Sequence, residues 1–219
     1  MYFPAVIFDL DGTLIDSLRD LAEATNWGLK QLGLLTHPVE AYRYMVGMGR
    51  HELCRRAAGN GNEERVDRLS TLMTRHYSEH CLDHSRPYEG IVDLLTELQR
   101  VGLKMGILSN KPQNFVDLTV RTLLGQFVFE AVIGDRDGLE RKPDPRGALL
   151  IAETFGLPPA SVAYVGDTSI DMDTANRAGM VALGVTWGFR TRAELKEANA
   201  HQIAETPDEL YRILAGTKS

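Results

Sequence analysis

The acidic residues with the most evident chemistry occur in two pairs, each directly after a short apolar segment. Asp9 and Asp11 follow one such segment near the start of the chain, and Asp167 and Asp171 follow another. Four crowded carboxylates repel one another and raise each other's pKa, unless a cation lies among them. Only oxygen ligands are available, with neither histidine nor cysteine nearby, so the cation that fits is Mg²⁺. The pattern therefore predicts a magnesium site built from these acids.

Three further polar residues are placed where they can join the acids. Ser109 and Asn110 follow a third apolar segment, and Lys142 precedes a predicted helix start. Magnesium beside a lysine ammonium suits a phosphoryl group, because the negative charge of that group must be neutralised during transfer. A carboxylate can attack phosphorus and form an aspartyl-phosphate. A second carboxylate two residues later can protonate the leaving oxygen and then activate water.

Alternating strands and helices are expected to position these groups. Short, β-branched apolar segments predict strands, and apolar residues at helical spacing between them predict helices. Alternation at this spacing indicates a doubly wound α/β fold with a parallel, Rossmann-like sheet, which binds ligands at the carboxyl ends of its strands. Asp144 is expected to cap a helix that has Pro145 in its first position. The predicted strands are residues 4–8, 103–108, 127–133, 161–165 and 180–185, and the predicted core helices include residues 112–124, 145–155, 169–178 and 207–214.

One long segment between the first two strands differs from the rest of the chain. Residues 17–84 contain no convincing strand, and their apolar spacing predicts about four helices, one of them over residues 39–46. Residues 17–85 contain nine acidic and nine basic residues, so the whole net charge of −6 lies outside this segment. Such a shift in composition marks a separate unit. We predict an α/β core of residues 1–15 and 87–219 with an inserted helical cap of residues 16–86.

Composition and charge disfavour several classes of protein. The 219 residues are 43% hydrophobic and 25% charged, as is typical of globular proteins. A net charge of −6 argues against a nucleic-acid-binding surface, and no apolar run approaches the roughly 20 residues of a membrane helix. No signal-peptide pattern is visible, and the two cysteines fit a reducing compartment. We expect a cytoplasmic monomer or homodimer that binds a small phosphorylated metabolite, no nucleic acid and no membrane.

Four short motifs occur in order along nearly the whole chain. Together they resemble the four motifs of the haloacid dehalogenase-like (HAD) hydrolase superfamily, and the helical insert is similar to the C1-type cap of that family. Each motif alone is weakly specific, but their order and predicted strand-end positions make the set specific. The motifs are Asp9-Leu-Asp-Gly-Thr13, Ser109-Asn110, Lys142-Pro-Asp-Pro145 and Gly166-Asp-Thr-Ser-Ile-Asp171.

The resemblance implies catalytic roles for three residues. Asp9 would be the nucleophile that accepts the phosphoryl group, and Asp11 would be the general acid/base. Lys142 would screen the charges of Asp9 and of the transferring group.

The resemblance also implies binding roles. Thr13 and Ser109 would hold phosphoryl oxygens, with help from the backbone of Asn110. Asp167 would bind Mg²⁺ directly, and Asp171 would support the ion or its waters. In the family, the nucleophile and the backbone carbonyl of the acid/base complete the metal site, so Asp9 and Asp11 belong to the predicted metal ligands as well.

Further details favour one branch of the superfamily. The aspartate at position 11 disfavours the dehalogenase and phosphonatase branches, which do not have an aspartate there. Residues 46–50, 108–112 and 184–188 resemble phosphoglycolate phosphatases. Arg50, in the first of these segments, is a candidate for pairing with a substrate carboxylate, because a guanidinium matches its geometry. The neighbouring arginines that compete for this role are Arg43, Arg55 and Arg56.

The predicted reaction is Mg²⁺-dependent hydrolysis of a small phosphate monoester, with 2-phosphoglycolate as the first choice. Three alternatives stay open: a phosphomutase of the β-phosphoglucomutase type, a pyrophosphatase, and a phosphometabolite-binding regulator without turnover. The complete set of catalytic residues argues against the last. His76, His80 and His84, spaced four residues apart, fit either a transition-metal site or the border of the cap core.

Overall fold

The computed structural model describes residues 3–59 and 62–216, and its centre is a six-stranded sheet. The strands are β1 (Ala5–Phe8), β2 (Ile15–Asp16), β3 (Arg86–Pro87), β4 (Lys104–Pro112), β5 (Ala131–Asp135), β6 (Val162–Gly166), β7 (Val181–Val185) and β8 (Gln202–Ala204). The central sheet has the order β5-β4-β1-β6-β7-β8, and every neighbouring pair in it is parallel. The parallel α/β fold predicted from the sequence is confirmed.

Strand β1 lies at the centre of the sheet because all of its residues are apolar and buried. It pairs with β4 on one side and with β6 on the other. The strand order reverses at this point, and such a reversal opens a ligand-binding crevice at the carboxyl ends of the strands. Asp9, the first residue after β1, therefore lies at the crevice.

The inserted segment after β2 is helical and has an apolar core of its own. Its largest buried side chains include Leu29, Tyr42 and Leu69. Of the predicted stripe of histidines, the ring of His76 lies 5.1 Å from that of Trp27 and 4.4 Å from that of His80, between ring centroids. The helices are α1 (Leu18–Gln31), a 3-10 helix (Val39–Tyr44), α2 (Arg50–Ala57) and α3 (Glu63–His80).

The helix predicted over residues 39–46 is present, but it is a 3-10 helix and ends at Tyr44. Met45 donates its backbone N–H to the carbonyl of Tyr42, three residues back. The turn that follows contains Gly47 and Gly49 with φ of 116° and 85°, a left-handed conformation that glycine adopts without steric cost. The glycines end the helix before it can lengthen, and they carry the chain into α2.

Helices cover both faces of the central sheet, so the doubly wound arrangement is confirmed. One apolar cluster joins one face to helices that contribute Leu94, Val116 and Leu210. A second cluster joins the other face to helices that contribute Ile151 and Met172. The core helices are α4 (Ile91–Arg100), α5 (Gln113–Leu123), α6 (Arg146–Phe155), α7 (Ser169–Arg177), α8 (Arg192–Glu197) and α9 (Pro207–Ala215).

The two chain connections between cap and core lie side by side. Strands β2 and β3 form a short antiparallel ribbon. Beside it, the buried carboxylate of Asp20 accepts hydrogen bonds from the backbone of His84 and from the backbone and hydroxyl of Ser85. The domain boundaries at residues 16 and 86 stay predictions, and the predicted core ends at residues 1–2 and 217–219 lie outside the described residues.

Several predicted element boundaries need correction. The strand predicted at residues 127–133 is β5, which begins only at Ala131. The apolar side chains of Phe127 and Phe129 pack against the core without strand pairing. Helix α6 begins at Arg146, and its N-cap is Pro145 rather than the predicted Asp144, whose Oδ1 still accepts from the backbone N–H of Arg146 at 3.0 Å. Strand β8 and helix α8 were not predicted. Among the described residues, no helix is both long and apolar enough to cross a membrane.

Candidate active site

Three buried aspartates lie together at the carboxyl ends of neighbouring strands. Asp9 follows β1, Asp167 follows β6, and Asp171 lies in the first turn of α7. Each offers a carboxylate oxygen, and these oxygens all lie within 4.8 Å of one another. The structure thus brings together three of the four acids that the sequence predicts as metal ligands. The carboxylate of the fourth, Asp11, lies outside this group.

The ammonium of Lys142 lies among these carboxylates. Its Nζ is 2.8 Å from Asp9 Oδ1 and 2.7 Å from Asp171 Oδ1. The side chain of Asn110 fixes this residue by accepting from its backbone N–H and donating to its carbonyl. When ionised, three carboxylates and one ammonium leave two negative charges uncompensated. An all-oxygen donor set with that excess charge fits a hard divalent cation such as Mg²⁺.

Burial and mutual repulsion raise the pKa values of these acids. Burial, together with the charge of Asp171, raises the pKa of Asp167 from 3.8 to about 7. Burial also raises the pKa of Asp9 well above its usual range, although the charge of Lys142 opposes this shift. Burial alone would lower the pKa of Lys142, but Asp171 and Asp9 raise it, so the ammonium stays charged. Protons and a metal ion would therefore compete for the same carboxylates.

A cavity lies above the acids, between the core and the cap. Its volume is about 60 Å³, which is room for roughly five water-sized molecules. Asp9, Lys142 and Ser109 line it from the core, and Arg50 and Tyr77 line it from the cap. The enclosed part of the cavity is therefore small when the cap is docked as it is here.

Asp11 also lines the cavity, and two donors hold its carboxylate. Ser17 Oγ is 2.6 Å from Asp11 Oδ1, and Lys111 Nζ is 2.8 Å from the same oxygen. Lys111 is buried and also donates to the hydroxyl of Tyr77 in α3, at 2.7 Å. The sequence prediction included neither Ser17 nor Lys111 in the site. The signal for Lys111 was its place directly after the Ser109-Asn110 motif.

The predicted phosphate-binding residues occupy different positions. Ser109 and Asn110 line the cavity, because β4 changes register after Leu108 and turns these residues towards the site. The side chain of Asn110 also donates to the carbonyl of Gly47 in the cap, at 3.0 Å. Thr13 is buried below the cavity, and its hydroxyl donates to Asp167 Oδ1 at 3.0 Å. In this arrangement Thr13 orients a candidate metal ligand, and its contact with a phosphoryl group stays a prediction.

Arg50 alone lines the cavity among the four cap arginines considered for a substrate carboxylate. Its Nη1 donates to Thr74 Oγ1 at 2.9 Å, and its buried Nε has no hydrogen-bond partner among the described residues. The other arginines are engaged elsewhere: Arg55 pairs with Glu63, Arg56 pairs with Glu52, and Arg43 donates to the carbonyl of Gly188.

A loop after β7, residues 186–190, holds the site from the side opposite the cavity; we call it the seam loop. Phe189 donates its backbone N–H to Asp167 Oδ2 at 2.7 Å. The indole of Trp187 donates to the backbone carbonyl of Thr13 at 2.9 Å. Gly188 packs so closely that a Cβ there would lie 2.4 Å from Asp167 Cβ. The seam loop therefore fixes the orientation of Asp167.

The seam loop also binds the cap through reciprocal arginine contacts. Arg43 of the cap donates to the carbonyl of Gly188, and Arg190 of the seam loop donates to the carbonyls of Arg43 and Val46. The Arg190 guanidinium also lies over the ring of Tyr44, 4.8 Å from its centroid. Because Val46 begins the cap segment that leads to Arg50, these contacts couple the position of that segment to the loop that holds Asp167.

The chain is similar to proteins of known family. Residues 6–185 match the family described as haloacid dehalogenase-like hydrolase. A phosphoglycolate phosphatase of Pseudomonas syringae pv. tomato is 33% identical over 218 residues, covering 96% of this chain and 78% of the relative. A phosphoglycolate phosphatase of Pseudomonas putida is 37% identical over 192 residues, covering 84% of this chain and 70% of the relative.

Solved structures agree with this assignment. A crystal structure of a protein from Lactobacillus delbrueckii subsp. bulgaricus superposes with a TM-score of 0.92 at 30% identity, covering 99% of this chain and 100% of that one. A crystal structure of a hydrolase from Pseudomonas syringae superposes with a TM-score of 0.79 at 25% identity, covering 99% and 100%.

The chain belongs to the haloacid dehalogenase-like hydrolase family. Within this family it is a phosphatase, a hydrolase of phosphoric monoesters, and it resembles the phosphoglycolate phosphatases.

Proposed function

We propose that this phosphatase hydrolyses a small phosphate monoester, with Mg²⁺, through an aspartyl-phosphate on Asp9. The observation that carries the proposal is the position of Lys142 Nζ, 2.8 Å from Asp9 and 2.7 Å from Asp171, at the base of a cavity that the cap covers. Such a fixed cation can neutralise charge on a phosphoryl group during transfer.

In the first half of the reaction, a carboxylate oxygen of Asp9 attacks phosphorus and the ester P–O bond breaks. The hydrogen bonds of Asp9 with the described residues go to Oδ1, from the backbone N–H of Leu10 and from Lys142. Oδ2 is therefore the oxygen available for attack. The leaving oxygen takes a proton from Asp11, which lines the same cavity.

In the second half, Asp11 accepts a proton from a water molecule as that water attacks the phosphorus of the aspartyl-phosphate. Inorganic phosphate leaves, and the Asp9 carboxylate is restored. Asp9, Asp167 and the backbone carbonyl of Asp11 would hold Mg²⁺, with Asp171 in support. When bound, the ion would supply positive charge that stabilises the oxygens of the transferring group.

We propose 2-phosphoglycolate as the substrate. The similar proteins from Pseudomonas syringae pv. tomato and Pseudomonas putida are named phosphoglycolate phosphatases. The cavity of about 60 Å³ favours a small ester. Arg50 lines this cavity, and its unpartnered Nε could donate a hydrogen bond to a second anionic group of the substrate. An arginine fork matches a carboxylate better than a lysine does. The two cysteines are free and buried, which suits a cytoplasmic site of action.

The test is phosphate release from a panel of small phosphate esters, with Mg²⁺ and with EDTA. The panel contains 2-phosphoglycolate, hexose phosphates, nucleotides and pyrophosphate. The expected result is a strong, EDTA-sensitive preference for 2-phosphoglycolate that Asp9→Asn abolishes and that Arg50→Lys weakens mainly through KM.

Other outcomes would identify other functions. Broad, weak release from many esters would keep the reaction and refute the substrate. Preference for pyrophosphate would indicate a pyrophosphatase, and isomerisation of a hexose phosphate would indicate a phosphomutase. Binding without turnover, unchanged in Asp9→Asn, would indicate a regulator and refute the proposed reaction.

A further inference from the structure

Lys111 is a buried cation for which the proposed reaction has no use. Its Nζ lies 2.8 Å from Asp11 Oδ1, 3.2 Å from Asp11 Oδ2 and 2.7 Å from the hydroxyl oxygen of Tyr77. The three N–H groups of an ammonium can thus all be directed at oxygens. The side chain of Lys111 is only 4% exposed.

The charge of Lys111 is maintained by its partners. Burial alone would lower the pKa of the ammonium, but the charge of Asp11 and the hydrogen bonds with Asp11 and Tyr77 raise it above the ordinary value. Because an unpaired buried ammonium is costly, the contacts of Lys111 with Asp11 and Tyr77 are strongly favoured over separated side chains. The pair therefore holds the carboxylate of Asp11 in one orientation.

Tyr77 connects this pair to the cap. It lies in α3, and its ring packs edge-on against Phe115 of α5, with 5.0 Å between ring centroids. Its hydroxyl reaches Lys111 of β4 across the boundary between cap and core. The contacts of Tyr77 with Lys111 and Phe115 can exist only while α3 is docked on the core.

We propose that Lys111 is a positioning residue for Asp11, and that Tyr77 holds Lys111 in place when the cap is docked. The inference rests on the proposed function, in which Asp11 donates a proton to the leaving oxygen. Ser17 and Lys111 both bind Oδ1 closely, whereas Oδ2 has only the longer 3.2 Å contact with Lys111, so we assign the proton transfer to Oδ2. Because Tyr77 belongs to the cap, Asp11 is held ready to protonate the leaving oxygen only when the cap is closed over the substrate.

The test uses two small substrates that differ in their need for a proton. The alkoxide released from 2-phosphoglycolate must be protonated as it leaves, whereas the acetate released from acetyl phosphate leaves as a stable anion. For each substrate, kcat/KM reports the steps up to phosphoryl transfer to Asp9, before the common hydrolysis of the aspartyl-phosphate. If 2-phosphoglycolate is not the preferred ester, the best alkyl phosphate of the panel replaces it.

The variants are Lys111→Met, Lys111→Arg and Tyr77→Phe, with Tyr42→Phe as the matched control. Tyr42 is also a buried cap tyrosine, but its hydroxyl donates to Asn26, away from the site. The ratio of kcat/KM for the two substrates is measured within each variant, so a partly unfolded fraction cancels. General acid catalysis contributes roughly 10²–10⁴-fold, which sets the scale of the expected loss.

We expect Lys111→Met to lower kcat/KM for the alkyl phosphate by about 100-fold and Tyr77→Phe by about tenfold. The values for acetyl phosphate should change by less than about threefold, Lys111→Arg should recover part of the loss, and Tyr42→Phe should leave the ratio unchanged. Equal losses on both substrates, or no loss on either, would overturn the inference. A wild-type protein that cleaves no phosphate ester would instead refute the proposed function, and the inference with it.

Discussion

Replacing Gly188 by alanine is expected to disturb the metal site without changing any of its ligands. The added Cβ would lie 2.2 Å from the carbonyl oxygen of Gly12 and 2.4 Å from Asp167 Cβ. Non-bonded carbon atoms need about 3.5 Å, so the seam loop must move by roughly 1 Å. That shift would lengthen the 2.7 Å hydrogen bond from Phe189 to Asp167 beyond hydrogen-bond range. A misplacement of about 1 Å can lower the rate by roughly 100-fold, and overpacking costs about 1–3 kcal/mol of stability.

The assay is kcat at saturating Mg²⁺, together with the free energy of unfolding in urea. Gly184→Ala is the matched control on the same chain segment, because the atoms nearest to its Cβ would belong to the side chains of Leu195 and Ile203, at 3.2 Å and 3.4 Å. The control should keep its kcat and lose about 1 kcal/mol or less. Wild-type kcat and Mg²⁺ dependence in Gly188→Ala would refute the role assigned to the seam loop. So would equal losses in both variants.

Three further predictions concern the cap contacts, the connections between the domains, and pH. Arg190→Ala should raise KM about tenfold with little change in kcat, as steady-state kinetics measure. The variant loses the hydrogen bonds to the carbonyls of Arg43 and Val46, and a net loss of about 1.4 kcal/mol would loosen the cap segment before Arg50. Asp20→Asn should lower the free energy of unfolding, measured in urea, by about 1–3 kcal/mol. The single oxygen of an amide cannot accept all the hydrogen bonds that His84 and Ser85 donate to the carboxylate. The thermal shift produced by Mg²⁺ should increase between pH 5 and pH 8, as scanning calorimetry measures. Without metal, the folded state keeps a proton on Asp167, whose pKa is about 7, while the unfolded state loses it near 3.8. Stability contributed by this proton is therefore lost as pH rises from 4 to 7, and Mg²⁺ replaces the proton.

Each of these predictions has a contradicting result. An unchanged KM in Arg190→Ala would show that the arginine contacts do not control the cap segment. Wild-type stability in Asp20→Asn would show that solvent replaces the lost contacts between α1 and the second connection. A thermal shift that is the same at pH 5 and pH 8 would show that Mg²⁺ does not displace a proton from Asp167.

Local sequence signals were sufficient to predict the base of the site. Asp9 and Asp167 each follow a short, buried, parallel strand, and such strands place the next residue at the same edge of the sheet. The strand pattern alone therefore predicts that these two aspartates lie close together. Lys142 lies in a loop, but its motif predicted its place beside Asp9, and the 2.8 Å contact agrees with that prediction.

Contacts between distant parts of the chain were beyond such signals. Lys111 binds Asp11, 100 residues away, and Tyr77, 34 residues away, and no local periodicity encodes either pairing. The capping box of Thr191 and Glu194 was a readable signal for α8, although the helix was not predicted. Strand β8 has only three residues and two of them are incompletely buried, so its pattern resembles that of a loop.

The central claim, that Asp9 carries the phosphoryl group, can be tested by trapping the intermediate. Protein in the Asp11→Asn form, which lacks the base for the second step, is mixed with Mg²⁺ and acetyl phosphate carrying radioactive phosphorus, quenched in acid and digested. Acetyl phosphate is the substrate because its acetate leaves without the proton that Asp11 supplies in the first step. We expect label on the peptide that contains Asp9, discharged by hydroxylamine as an acyl phosphate is, and absent when Asp9→Asn is added. Absence of any covalent label in a protein whose wild type turns the substrate over, or label on another residue, would contradict the account.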